Sequence, residues 1–108
     1  MFYALEDERG VYIHTHQKMG GYGGRVVCTN DIYYAKITTS LRLAIRWRNR
    51  INGFHLKSIE EVQTGKPLEN LRYHSVLASP YKRIGPVAPV RIIHLTLTKT
   101  GEEPQNAV

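Results

Sequence analysis

Cys28 is the only cysteine among 108 residues, so no internal disulfide can form. No apolar run is long enough to cross a membrane. Acids are scarce as well, nine Asp and Glu against fifteen Lys and Arg, for a net charge of +6. The glycine run Gly20-Gly-Tyr-Gly-Gly24 lacks the Lys-Ser/Thr ending of a P-loop and the spacing of a dinucleotide fingerprint. No pair of matched catalytic motifs is present. The early acids Glu6, Asp7 and Glu8 argue against a signal peptide, and a cytoplasmic location is the expectation.

The excess positive charge is concentrated in the middle of the chain. Residues 1–30 carry three basic and three acidic side chains, residues 31–60 carry six and two, and residues 61–108 carry six and four. Four of the central arginines lie in Leu41–Arg50, where no acid occurs. Arg42, Arg46 and Arg50 are spaced i, i+4, i+8 and form one stripe on a helix, with Arg48 to one side. Leu43, Ala44, Trp47 and Ile51 gather opposite, and Leu41 and Ile45 widen that apolar face. Thr38-Thr39-Ser40 offers N-cap hydroxyls, and Asn52-Gly53 reads as the stop, which places the arginines near the negative end of the helix dipole.

Other segments read as extended chain. Phe2–Glu6 and Val11–Thr15 form a hairpin through Asp7-Glu8-Arg9-Gly10, where Gly10 suits a tight turn. Val11, Ile13 and Thr15 take one face of the second strand; Tyr12, His14 and His16 take the other. Arg25–Thr29 is a third strand and Tyr33–Ile37 is extended. Leu56–Val62 reads as a strand around Ile59 and Val62. Leu68–Tyr73 is a short helical turn, His74–Ala78 is extended, and 79–89 is a loop or edge segment. Val90–Lys99 alternates as a strand, and 101–108 is a frayed polar tail. The expected fold is α+β, one domain over residues 1–100, with a mostly antiparallel sheet of about four or five strands packed on one main amphipathic helix.

The candidate binding residues are Arg42, Arg46, Arg48 and Arg50 with Arg25, Tyr22, Tyr33 and Tyr34. Guanidinium groups match phosphate and carboxylate oxygens, and tyrosines beside them can stack on bases or anchor a protein partner. His14 and His16 on one strand face have a spacing that can hold a metal, but no third ligand is recognisable. His94-Leu-Thr-Leu97 is one copy of a motif that two-histidine phosphoesterases need twice. No catalytic residue, metal or cofactor is expected.

Asp31–Val62 resembles a pattern seen in small phage and prophage proteins. An N-terminal hairpin there leads through an Ala-x-(Ile/Phe)-x-(Thr/Ser) segment to a helix and a short strand ending in Val. The matching residues are Ala35, Ile37, Thr39, Ala44 and Val62. The resemblance implies a host-interaction or anti-defence context, in which a tiny protein blocks host machinery such as a CRISPR effector. The expected function is non-enzymatic binding of nucleic acid or of a nucleic-acid-handling complex. The alternatives are a small histidine-dependent ribonuclease or phosphodiesterase built on His14, His16 and His94, and an adaptor for an acidic protein surface.

Overall fold

Residues 1–20, 23–78 and 83–96 are described by the computed structural model. Strands β1 (Phe2–Asp7), β2 (Tyr12–Lys18) and β3 (Gly24–Thr29) precede a long helix, α1 (Leu41–Gln63). Strands β4 (Tyr73–Leu77), β5 (Arg83–Pro86) and β6 (Val90–Leu95) follow it. The fold is α+β as expected, but the sheet has six strands, ordered β5-β4-β3-β2-β1-β6, and it is mixed. The connection from β3 to β4 runs through α1, and such a crossover returns the chain parallel to where it left. All other pairings are antiparallel. Strand β5 falls within the segment read as loop or edge, and it is an edge strand. The expected 101–108 tail, Tyr22 and the end of the Val90–Lys99 strand lie outside the described residues.

The helix is the largest departure. It does not stop at Asn52-Gly53, and Leu56–Val62 is its second half rather than a strand. The cause lies in the spacing of its inner face. Ala44, Ile51, Phe54, Ser58 and Glu61 are buried, with half-buried Trp47 completing steps of three and four residues along the whole length. Gly53 sits on the outside, where even a Cβ would meet nothing within 4 Å. The true stop is at Thr64-Gly65: Gly65 has φ +78°, its N–H donates to Val62 O, and Lys66 N–H donates to Glu61 O. The inner face also begins later than expected, since Leu41 and Leu43 are exposed.

Leu5, Ile13, Val26, Cys28, Ile51, Phe54, Val87 and Val90 form the core between helix and sheet. Gly24 is required where β3 passes beneath the helix: a Cβ there would lie 2.6 Å from the Phe54 ring. The sheet must curl. Six flat strands would span roughly 24 Å, yet β5 and β6, its two edges, are joined by only Val87, Ala88 and Pro89, which reach about 14 Å. α1 holds this short link. The Asn52 side chain donates to Val90 O (3.2 Å) and accepts from Val90 N (2.8 Å), while His55 Nδ1 (2.8 Å) and Ser58 Oγ (3.2 Å) donate to Val87 O.

The β1–β2 hairpin closes as the sequence implies. Asp7 accepts from Arg9 N, Arg9 Nε and Val11 N, and Gly10 takes φ +80°. Beyond the Glu6–Tyr12 pair the two strands part. The segment leading to the helix fills the gap: Lys36 N–H donates to Ile13 O, and Thr38 exchanges backbone bonds with Tyr3. Tyr33–Ile37 is therefore not a regular strand. Ile32–Tyr34 is a 3-10 turn capped by Asp31, whose carboxylate accepts from Tyr33 N (3.0 Å).

A candidate polyanion interface

Ser40 caps α1 by accepting from Leu43 N–H (3.2 Å), so the helix begins where the arginines begin. Arg42, Arg46 and Arg50 are exposed and Arg48 is half-buried. Because the helix continues to Gln63, these arginines occupy its N-terminal half, not its end. The first turn carries no acid. Arg42, in that turn, lies at the positive pole of the helix dipole, which is unfavourable for folding and favourable for an incoming anion. Among the described residues none of the four makes an ion pair; the only side-chain bond is from Arg48 to Asn49 Oδ1 (3.3 Å). Four of the described acids are engaged elsewhere: Asp7 with Arg9, Glu6 with Arg91, Glu60 with Lys57, and buried Glu61 with Lys66 and Arg72. Burial raises the Glu61 carboxyl, but donation from Arg72 and the Lys66 charge outweigh it and hold the group below its usual value.

A β-bulge decides where the histidines go. Ile13 pairs with Cys28 and Thr15 with Val27, leaving His14 as the extra residue. The bulge shifts the alternation by one. His16 pairs with core residue Val26 and turns toward the helix, while Thr15 and Gln17 face outward with Arg25 and Val27. His14 and His16 therefore do not share a face. His14 lines the outer cleft with Thr15, Gln17, Arg25 and Val27, packs edge-on against Tyr34 and donates from Nδ1 to Tyr34 O (2.5 Å). His94 packs instead against Tyr3. Each of the three histidines thus meets a different aromatic ring, and no cluster of three His, Cys, Asp or Glu suited to a metal occurs among the described residues.

His16 enters a group that periodicity did not reveal. Its ring packs against Trp47 (6.0 Å between centroids), and its Nε2 accepts from Lys36 Nζ (3.3 Å). Lys36 Nζ also lies 4.3 Å over the Trp47 ring, a cation–π contact. Burial, then the charges of Lys36 and Arg50, push the His16 imidazole down to about 4. Burial and Arg50 lower the Lys36 ammonium too. The arginine stripe thus reaches, at Arg50, a partly buried pair of nitrogen bases with no neighbouring acid bonded to them.

The tyrosines divide. Tyr33 is 90% exposed and Tyr34 60%, on the turn before the segment that enters the helix. Tyr73 belongs to the core beside Phe54. Arg25 is half-buried on the outer face of the sheet, beside His14 rather than with the helix arginines. Cys28 is buried, and burial raises its thiol to about 12, so it is unreactive. Comparison with protein-family models, with curated proteins and with solved structures finds no match to this chain.

Proposed function

We propose that this protein binds nucleic acid, or a nucleic-acid-handling complex at its nucleic-acid site, through the N-terminal half of α1, and that it does so without catalysis. The observation that carries this reading is the row of exposed arginines Arg42, Arg46 and Arg50, without ion-pair partners among the described residues, on the N-terminal half of α1. Like charges at i, i+4 repel one another, Arg42 also opposes the helix dipole, and a polyanion relieves both. Tyr33, with its ring almost wholly in solvent, supplies a stacking surface on the chain leading into that helix. A steric inhibitor that occupies the nucleic-acid channel of a host defence complex is the form of this activity that suits so small a protein.

Fluorescence anisotropy with labelled single-stranded DNA and RNA tests the reading. Affinity falls steeply as salt rises, through counterion release. The Arg42→Glu, Arg46→Glu double variant loses binding. Equal retention of both proteins on nucleic acid sinks the proposal. A second reading, docking on an acidic protein, is favoured by the exposed apolar residues Ile37, Leu41 and Leu43 near the stripe. It predicts capture of an acidic partner that survives nuclease treatment, together with indifference to free oligonucleotides.

A further inference from the structure

We propose that Lys36, Arg50 and the Trp47 ring form the seat for one phosphodiester group of a bound strand, with His16 as its wall. This rests on the nucleic-acid reading above and assigns its anchoring point. Four features of the geometry support it. Lys36 Nζ is fixed by two contacts, the His16 Nε2 bond (3.3 Å) and the Trp47 ring (4.3 Å). An ammonium has three donors, so two remain for phosphate oxygens. Arg50 is exposed on the same stripe as Arg42 and Arg46 and follows Trp47 by three residues on α1, the spacing that brings side chains together on one helix face. No carboxylate is hydrogen-bonded or ion-paired to Lys36, Arg50 or His16 among the described residues.

The charged or titratable groups acting on His16 are Lys36, from the segment between β3 and α1, and Arg50, from α1; Val26 faces it from β3. A phosphate between the two cations reverses the local field. His16, neutral in the free protein, then takes a proton from solvent, and its Lys36 hydrogen bond gives way to one shared with the phosphate. Binding is therefore coupled to proton uptake at His16, and it tightens on acidification more than general charge effects require.

The chain has one tryptophan, Trp47, so intrinsic fluorescence reads the seat directly. The probe is a labelled oligothymidylate, titrated by anisotropy and by Trp47 emission at constant ionic strength between pH 8 and 5. Lys36→Gln weakens binding ~10-fold, lowers the salt slope by about one and abolishes the Trp47 response. Lys36→Arg restores most of the affinity, which separates lost charge from misfolding. His16→Gln, which removes one of the two contacts that fix Lys36, weakens binding at pH 7.5 less than Lys36→Gln does and loses the extra tightening at low pH. If the Arg42→Glu, Arg46→Glu protein loses binding while Lys36→Gln keeps both affinity and the Trp47 response, the seat is overturned and the wider function stands. If wild type binds no oligonucleotide, inorganic pyrophosphate titrated against Trp47 emission decides. A response that Lys36→Gln lacks supports a phosphate seat without a strand, and no response overturns the seat along with the nucleic-acid reading.

Discussion

His16 shows how one residue inserted into a strand redirects a side chain. Alternation places it on the polar face with His14; the unpaired residue at the bulge turns it inward against Trp47 and Lys36. Bulges have no reliable signature in a single sequence, because they express how two strands pair rather than what either prefers. The arginines at 42, 46 and 50 were legible because a 3.6-residue period is local. Lys36 was not, because the gap it fills between β1 and β2 is a tertiary feature. The inward placement has a consequence for stability. With a folded-state value near 4 against 6.5 when unfolded, His16 is protonated first in the unfolded chain as pH falls. Its contribution to stability is present above pH 6.5, is lost progressively down to about 4, and changes no further below that. Glu61, lowered from 4.5, adds an acid loss of its own that begins only below that value. Urea midpoints at pH 7.5 and 5 therefore fall further for wild type than for His16→Gln. Equal falls in the two proteins rule out an inward, neutral His16.

At the scale of elements, the first half of α1 and the hairpin were readable, and the second half of the helix was not. Asn52-Gly53 imitates a helix stop, and Leu56, Ile59 and Val62 suggest a strand. The structure overrides both because Phe54, Ser58 and Glu61 continue the buried face laid down by Ala44 and Ile51, and because Asn52 is occupied in bonding Val90. Leu56, Ile59 and Val62 are left exposed along the outer side. The sixth strand and the parallel pair were missed for a related reason: extending the helix turns β3-α1-β4 into a crossover. Gly53 gives a direct check. In the middle of an exposed helical turn with open space around it, Gly53→Ala stabilises the protein by up to about 1 kcal/mol. At a left-handed C-terminal cap the same change would destabilise it. The sign of the shift in the urea midpoint distinguishes one long helix from a helix followed by a strand.

For the whole molecule, where the charge sits matters more than its total. Composition gives +6, and a protein with that excess attracts polyanions wherever the charge lies. The fold gathers it unevenly along α1. Its first half bears four arginines without acidic partners, whereas its second half pairs Lys57 with Glu60, and Lys66 and Arg72 with Glu61. The curl of the sheet and the short 87–89 link tie the second half of the helix to the closing edge, through His55 and Ser58. That half is tied into the fold, and the proposed interface lies on the first half. Arg46 and Lys57 lie eleven residues apart on the helix, roughly 16 Å, which exceeds the ~10 Å Debye length at 0.1 M salt. Arg46→Glu and Lys57→Glu lower the net charge equally. If total charge governed binding, the two would weaken it alike. If the N-terminal half of α1 is the interface, Arg46→Glu weakens oligonucleotide binding ~10-fold or more at 0.1 M salt, while Lys57→Glu stays within about two-fold of wild type. Matched losses in the two variants, measured by anisotropy on the same oligonucleotide, would show a diffuse cationic surface in place of a defined face.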